Sequence, residues 1–404
     1  MVEQVSRTHE ALTRVGIVGT GFIASGLLRV VSASDGFAPS RVLTRRPIGT
    51  VENVDAELLT SSIQELVDAS DIVVECSGEV VHATNVVHAT LEAGRKMVTL
   101  NSELQVTVGS YFCERGLITE AEGDQPGSLA ALGADAVSMG FRPLVYGNMK
   151  GFLNHTPNPE DMSHWSKRNG ISLVQVTSFT DGTKLQLEQA LIANGLGAGI
   201  AKRGLIGPRD EALNVAASHL AAVAKEMGCA ISDYVLSSNL PPGVFVVAEH
   251  PFERPEVLRY LKLGDGPFYT LVKPYHLCHL EMMKTIRAVA QGAGPLLNNS
   301  SEPTVNVAAV AKCDLAEGTP IPQAVGGFTV RGEAVSFAEE PFAVPVGLLD
   351  GARVVRRVEK QQVLSWDDVE IPESLALTAA RSIQRDVLAT HMQTQSRSNP
   401  ARDC

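Results

Sequence analysis

A strand, a glycine turn and a helix follow one another near the start of the chain. Residues Arg14 to Val18 form a short apolar run, which predicts a buried β-strand. The next residues, Gly19-Thr-Gly-Phe-Ile-Ala-Ser-Gly, predict a tight turn into a helix that runs toward Ser32. This order opens a β-α-β unit.

The same alternation continues along the first third of the chain. Apolar runs predict strands at Arg41 to Thr44, Asp71 to Glu75 and Lys96 to Leu100, and a helix from about Val80 to Glu92. Strands that alternate with helices imply a parallel sheet with helices on both faces. We therefore expect an α/β fold, with a first domain over residues 1–150.

The pattern changes after this unit. Residues 152–171 are rich in Asn, Pro and polar side chains, which predicts a long connection. A strand is predicted at Ser172 to Phe179, a long helix from near Lys184 and an apolar strand at Gly243 to Ala248. These elements predict an α+β domain over residues 151–303, which ends in a linker at 298–303.

Short strands separated by Gly and Pro turns follow the linker. The pattern over residues 304–372, beginning with a strand at Val305 to Ala311, predicts a small β-rich domain. Residues 373–404 are predicted as a C-terminal helix and tail, and the polar end from Thr394 is expected to fray.

Composition narrows the class of protein. The 404 residues are 44% hydrophobic and carry 34 Lys and Arg against 45 Asp and Glu, a net charge of −11. Such a charge disfavours nucleic acid as a partner. The residues up to Arg14 lack the apolar segment of a secretory signal, and no apolar run approaches the about 18 residues of a membrane span. The six cysteines form no CxxC pair, so we expect reduced thiols and a cytoplasmic location.

The glycine turn predicts a dinucleotide site. Because Gly19, Gly21 and Ala24 follow a strand and open a helix, their G-x-G-x-x-A spacing is typical of a Rossmann turn that binds a pyrophosphate. The turn residues Thr20, Phe22 and Ile23 are expected at the same site. Arg45 and Arg46 end the second strand where NAD-binding domains place a carboxylate, which favours the 2′-phosphate of NADP. Ser77, Gly78 and Asn101 follow two further strands, at the sheet edge where such folds bind ligands. A plain turn, and helix capping by Asn101, are the alternatives.

Charged side chains among glycines are the catalytic candidates. Two lysines are predicted to polarise a carbonyl or move a proton, and nearby carboxylates to orient them. The candidates are Lys184, Lys150, Asp181, Glu122, Asp124 and Asn101, with Glu188 as a further carboxylate. Surface exposure of the lysines and structural capping by the acids are the alternatives. Tyr275 and His276 could line the pocket, whereas the His276-Leu-Cys278-His279 spacing is too tight for a regular zinc site.

Several of these motifs resemble those of homoserine-dehydrogenase-like NAD(P)-dependent oxidoreductases with a C-terminal SAF domain, a group that includes the deoxyxylulose-phosphate-reductoisomerase-like enzyme. The motifs are Gly19-Thr-Gly-Phe-Ile, Asn101, Gly123-Asp-Gln-Pro-Gly, Gly147-Asn-x-Lys-Gly, Asp181-Gly-Thr-Lys and Pro274-Tyr-His-Leu-Cys. Asp314-Leu-x-x-Gly, Val344-Pro-Val-Gly-Leu and Leu364-Ser-Trp-Asp-Asp-Val resemble the SAF domain.

This resemblance implies an NADP-linked homodimer with a Rossmann domain, a central catalytic and dimerisation domain and a SAF domain over the cleft. Lys184 is similar in placement to the lysine that homoserine dehydrogenases use. Two departures argue against homoserine as substrate: Ser102 follows Asn101 where those enzymes place lysine, and Gly-Asp-Gln-Pro-Gly replaces their glycine-rich turn.

We therefore expect an enzyme that transfers hydride between NADP and a carbonyl or alcohol of a small polar substrate. Phosphorylation of the substrate, a coupled rearrangement, use of NAD and a divalent metal stay open, and the metal would require Glu122 and Asp124 to converge. The alternative is a catalytically inactive nucleotide-sensing protein that binds a partner through its SAF domain.

Overall fold

Six parallel strands form the first sheet. The computed structural model of the chain describes residues 12–209 and 212–398. The strands are β1 (Thr13–Val18), β2 (Phe37–Leu43), β3 (Leu59–Thr60), β4 (Ile72–Glu75), β5 (Lys96–Thr99) and β6 (Ile118–Glu120). Their order across the sheet is β3-β2-β1-β4-β5-β6, and each pairing is parallel. This is the Rossmann order, in which ligands bind at the carboxyl ends of the strands beside the switch between β1 and β4. The predicted α/β class is confirmed.

Helices cover both faces of this sheet, as expected. The first three are α1 (Phe22–Ser32), α2 (Ile63–Ala69) and α3 (Val80–Glu92). Val15 and Ile17 pack on the face of α1, whereas Val18 and Val73 pack on the face of α3. After β5, α4 (Ser102–Leu104), the π-helical stretch Gln105–Gly109 and α5 (Ser110–Phe112) run on without a break.

A second sheet of four strands has the order β10-β9-β7-β8. These strands are β7 (Arg142–Lys150), β8 (Ile231–Leu236), β9 (Gly243–Glu249) and β10 (Tyr269–Lys273). Tyr146 and Val246 pack against α6 (Gln125–Ser138) and α9 (Thr183–Leu196) on one face. Val145 and Val247 pack against α10 (Leu213–Met227) on the other. The alternation along β7 and β9 therefore buries both faces of the sheet.

The segment between β7 and α9 differs from the prediction. The expected long connection at 152–171 contains α7 (Pro159–Asn169), which Asn158 caps. The predicted strand Ser172 to Phe179 is wrong, because this stretch is α8 (Leu173–Thr180). Ser172 and Gln175 form a capping box at its start, and this local pairing outweighs the preference of Val and Thr for strands.

Two further helices precede the C-terminal strands. They are α11 (Pro255–Tyr260) and α12 (Met282–Ala290). Met282 and Ile286 of α12 pack into the core of the first sheet on the face of α1. The segment at 298–303, predicted as a linker, has no regular structure but is anchored. Asn299 is buried, and its side chain bonds to Asn194 and Ser110 at 2.9 Å each.

The C-terminal region is rich in short strands, as predicted. They are β11 (Val305–Ala311), β12 (Pro320–Ile321), β13 (Val330–Ser336), β14 (Ala352–Val354) and β15 (Val369–Glu370). β11 pairs antiparallel with β13, and β12, β14 and β15 form a second small sheet. Apolar side chains of β11 and β13 belong to the same core as those of α9.

The last described element is α13 (Leu375–Ser398), which packs against α3 and α5. The helix continues through Thr394, where fraying is predicted. Residues 399–404 and residues 1–11 lie outside the described residues. Within the described part, each of the five cysteines is a free thiol. In that same part, no helix combines the length and hydropathy needed to cross a membrane.

Candidate active site

The turn between β1 and α1 leaves its backbone open. Gly19 has φ +105°, and a Cβ there would lie 3.3 Å from the Cys76 carbonyl oxygen. A Cβ on Gly21, by contrast, would meet no described atom within 4 Å. No side chain of the described residues caps the first amides of α1, and Phe22 is exposed beside them. Free amides at a helix start suit an anion such as a pyrophosphate. Thr20 is buried in this turn and Ile23 is partly buried.

Arg45 and Arg46 lie exposed just after β2. The Arg45 guanidinium is 3.2 Å from Glu79, the residue that caps α3. The Arg46 amide donates to the Thr44 hydroxyl at 3.1 Å. Both guanidinium groups are therefore accessible to an anion, although Arg45 already has a carboxylate partner.

A buried carboxyl group supports the turn after β4. The Ser77 amide donates to Glu75 Oε1 at 2.6 Å, and the Ser77 hydroxyl donates to the same oxygen. Burial raises the pKa of Glu75, and the bonds from Ser77 partly offset this rise. Gly78 has φ +70° and open space around it. Glu75 is not among the predicted site residues, although a charge at the end of an apolar run was the available signal.

Asn101 caps a helix through one side-chain atom and places the other beside Glu75. Its Oδ1 accepts from the Leu104 amide at 3.0 Å, which is the helix-capping alternative. Its Nδ2 is buried and has no close hydrogen-bond partner among the described residues, but the Asn101 side chain acts as a donor toward Glu75 and helps to lower the pKa of that carboxyl group. The contact of Asn101 with a nicotinamide or substrate stays a prediction.

Lys184 brings three distant segments together. It lies in the first turn of α9, and its Nζ is 2.8 Å from Ser102 Oγ and 3.1 Å from Asp124 Oδ2. Glu188, one turn further along α9, is 3.9 Å away. Ser102 follows β5, and Asp124 caps α6 shortly after β6. The lysine therefore reaches the carboxyl edge of the first sheet, where Rossmann folds bind their ligands.

The surrounding carboxyl groups keep Lys184 charged. Burial lowers the pKa of Lys184, but Asp124, Glu188, Glu103 and Glu120 together outweigh burial and raise that pKa above its ordinary value. For Asp124 the effects are reversed: burial raises the pKa of this carboxyl group, but Lys184 opposes burial and brings the pKa below its usual value. The pair is thus an ammonium and a carboxylate across the neutral range.

Two other carboxyl groups titrate near neutrality. Burial raises the pKa of Glu103 to about 7 against the opposing charge of Lys184. Burial also raises the pKa of Glu188 to about 7, against the opposing charge of Lys150. Glu120 is fully buried with neither oxygen bonded to a described residue, and burial raises its pKa too. The site thus combines one fixed cation with acids that can exchange a proton at neutral pH.

Lys150 joins this cluster from the end of β7. Its charge acts on Glu188, which accepts a hydrogen bond from Asn148 Nδ2 at 2.9 Å. The Lys150 Nζ also lies 5.9 Å from the centre of the Phe179 ring. The structure therefore brings together four of the predicted groups, Lys184, Asp124, Glu188 and Lys150.

Asp181 and Glu122 have other partners. Asp181 pairs with Lys312 at 2.6 Å, and Glu122 pairs with Lys273 at 2.9 Å and Lys284 at 2.6 Å. Contrary to expectation, neither acid pairs directly with Lys184, because lysines distant in the sequence are their ion-pair partners instead. Glu122 and Asp124 pair with different lysines, and the described residues contain no group of three or more His, Cys, Asp or Glu that could hold a metal.

The loop before α12 joins the dinucleotide turn to the lysine site. The Cys278 amide donates to the Gly123 carbonyl at 2.8 Å, next to Asp124. The His279 ring packs edge-on against Phe22 at 5.5 Å. Burial lowers the pKa of His276, and Asp124 partly offsets this effect. A neutral His276 beside Asp124 agrees with the pocket-lining interpretation.

One family model matches the middle of the chain. Residues 123–282 match the family model "Oxidoreductase DRL, catalytic domain". This segment is similar to an oxidoreductase catalytic domain. It contains Lys184, Asp124, Glu188 and Lys150, so the similarity includes these four residues of the candidate site, although it spans less than half of the chain. No curated protein matches the chain.

Three solved dehydrogenase structures are among those similar to the chain. A putative myo-inositol dehydrogenase from Sinorhizobium meliloti 1021 is 11% identical, with 69% of this chain and 89% of that chain covered and a TM-score of 0.39. A probable dehydrogenase from Thermotoga maritima is 13% identical, with 71% of this chain and 91% of that chain covered and a TM-score of 0.42. A UDP-N-acetylglucosamine 3-dehydrogenase from Acidithiobacillus ferrooxidans is 11% identical, with 72% of this chain and 93% of that chain covered and a TM-score of 0.40.

Proposed function

We propose that the protein is an NADP-dependent oxidoreductase that interconverts a carbonyl and an alcohol on a small polar substrate. The observation that carries the proposal is the position of Lys184, whose Nζ lies between Ser102 and Asp124 at the carboxyl edge of the Rossmann sheet. The family-model match over residues 123–282 supports redox chemistry at this site.

The residues of the first sheet fit a nicotinamide dinucleotide. The open backbone at Gly21 and the uncapped amides of α1 suit its pyrophosphate. The exposed guanidinium groups of Arg45 and Arg46 suit a 2′-phosphate, and the sequence places no carboxylate directly after β2. The bound cofactor would supply or accept the hydride.

Lys184 would stabilise the substrate oxygen. Because carboxylates hold its ammonium charged, Lys184 can donate a hydrogen bond to a carbonyl oxygen and balance the negative charge that develops as the alkoxide forms. Asp124 and Ser102 hold the ammonium in place. Glu188 or Glu103, whose pKa values lie near 7, can give up or accept the proton that accompanies hydride transfer.

The test is NADPH oxidation with a panel of sugar phosphates, semialdehydes and keto acids, followed by Lys184→Met. The variant should lower kcat by roughly 10²- to 10³-fold, the range for loss of a group that stabilises an oxyanion, and should leave NADPH affinity unchanged. Lys225→Met removes a surface lysine that pairs with Glu249 and should keep full turnover.

Two results would contradict the proposal in different ways. Unchanged turnover in Lys184→Met would remove this lysine from the mechanism. A silent panel together with tight NADPH binding would favour the inactive nucleotide-sensing alternative.

A further inference from the structure

The C-terminal strands bond directly to the helix that carries Lys184. The Gly332 amide of β13 donates to the Thr183 hydroxyl at 2.9 Å, one residue before Lys184. The Ala334 amide donates to the Gln186 side chain at 2.8 Å, two residues after Lys184. The first turn of α9 is therefore fixed on both sides of the lysine by a strand more than 140 residues away.

A buried ion pair makes a third connection to the same turn. Lys312 follows β11, and its Nζ lies 2.6 Å from Asp181 Oδ2 and also donates to the Gly327 carbonyl. The other carboxylate oxygen of Asp181 accepts the Thr183 amide at 2.8 Å. The chain of contacts from Lys312 through Asp181 thus ends at the residue preceding Lys184.

The energetics of burial make this connection rigid. Lys312 and Asp181 are 5% and 1% exposed, and a charge at such depth is stable only while its partner stays in place. The Lys312 Nζ also lies 5.8 Å from the centre of the Phe328 ring, which limits its freedom further. Movement of Lys312 would therefore release the Asp181 carboxylate from the geometry that holds the start of α9.

The direct polar partners of Lys312 differ from those of Lys184. Lys312 contacts Asp181 and the Gly327 carbonyl, whereas Lys184 contacts Ser102, Asp124 and Glu188. An effect of Lys312 on Lys184 therefore passes through the backbone of α9. Lys312 is thus a candidate positioning residue and not a catalytic one.

We propose that Lys312, through Asp181, positions Lys184 for reaction, so that the C-terminal strands are part of the active-site framework. The proposal rests on the function proposed above for Lys184. It differs from the expectation that the C-terminal domain merely covers the cleft, because it assigns this region a specific mechanical contact with the reacting lysine.

The experiment combines an activity measurement with one that does not need activity. In Lys312→Met, kcat should fall roughly 10- to 100-fold while KM for NADPH stays constant, as expected when a reacting group is misplaced by a small distance. The rate of reductive methylation at Lys184, followed by mass spectrometry relative to Lys225 in the same molecule, should rise severalfold because the ammonium leaves its buried position. Lys312→Arg, which keeps the charge, should recover part of both values.

Controls separate positioning from general loss of stability. Arg356→Met breaks an ion pair with Asp368 within the C-terminal strands and away from α9, and it should change neither kcat nor labelling of Lys184. If the single variant Lys312→Met does not fold, the double variant Lys312→Met with Asp181→Asn takes its place in these measurements, because the double variant removes both buried charges.

A folded variant with unchanged kcat and unchanged Lys184 labelling would overturn the proposal. If the unmodified protein transfers no hydride, the proposed function fails, but the labelling measurement still decides whether Lys312 positions Lys184. The two failures can therefore be told apart.

Discussion

Replacement of Glu188 by Gln should change how the stability of the protein depends on pH. Glu188 is 1% exposed, accepts a hydrogen bond from Asn148 and lies 3.9 Å from Lys184. Burial raises its pKa from 4.5 to about 7 in the folded protein. The folded state therefore holds this proton more tightly than the unfolded state does.

The sign of the effect follows from proton linkage. Below pH 4.5 both states are protonated at Glu188, and the group adds no pH dependence. Between pH 4.5 and about 7 the unfolded chain releases the proton first, so the free energy of unfolding falls as pH rises. Above pH 7 the full cost is present. A shift of this size corresponds to about 3 kcal/mol, and the Glu188→Gln variant avoids that cost because an amide does not ionise.

The assay is urea unfolding of both proteins at about pH 5 and about pH 8. Most of the ionisation of Glu188 in the folded protein takes place between these two pH values. The stability of Glu188→Gln relative to the unmodified protein should rise between these pH values, by up to about 3 kcal/mol. Glu92→Gln, at an exposed position on α3, should give the same difference at both. If the Glu188→Gln difference is independent of pH, Glu188 is already ionised at the lower pH in the folded protein, and the reasoning on burial is refuted.

Three further predictions concern the residues of the turn after β1 and those after β2. Replacement of Arg45 and Arg46 by Ser should weaken NADPH binding by roughly 10- to 100-fold, which corresponds to about 1.5–3 kcal/mol for a charge-assisted hydrogen bond. The affinity for NADH should stay constant. Equal losses of affinity for both nucleotides would contradict a contact with the 2′-phosphate. Gly21→Ala should fold normally, since its Cβ meets no described atom, yet lose roughly tenfold or more in NADPH affinity by titration because the Cβ excludes the phosphates from the amides. Gly19→Ala should instead lose about 1–3 kcal/mol of stability in urea, because φ is +105° and the Cys76 carbonyl is close; a stability loss confined to Gly21→Ala would contradict both assignments.

The elements that could be predicted from the sequence are those with strong local signals. The apolar run of β1 ends at Gly19, and the helix at Val80–Glu92 has the predicted bounds, because a buried parallel strand and the turn after it are visible within a few residues. The stretch after Ser172 contains Val and Thr, and its strand prediction overlooked the capping box with Gln175. The local cap decides this element, and residue preference alone gives the wrong answer.

The candidate site was predictable in some of its members and not in its pairings. Lys184 and Asp124 could be proposed because they lie at helix starts, and Glu188 because it is a further carboxylate on the helix of Lys184. Glu75, Glu103 and Glu120 were not among the predicted site residues. The partners of Asp181 and Glu122 could not, since Lys312 is 131 residues from Asp181 and Lys273 is 151 residues from Glu122. Such ion pairs depend on tertiary packing, and no spacing in the sequence reports them.

The charges around Lys184 suit two different tasks: the lysine keeps its positive charge, and nearby acids can change their charge. An ammonium whose pKa is raised by four carboxyl groups keeps its proton at neutral pH, so it can stabilise an oxyanion but is poorly suited to act as the base that removes a proton. Glu103 and Glu188 have pKa values of about 7 and can change charge in that range. Interconversion of a carbonyl and an alcohol needs both properties, because a hydride and a proton must be transferred together. Under the proposed function, the separation of the two roles between a lysine and buried carboxyl groups would account for acids at this site that are costly to bury.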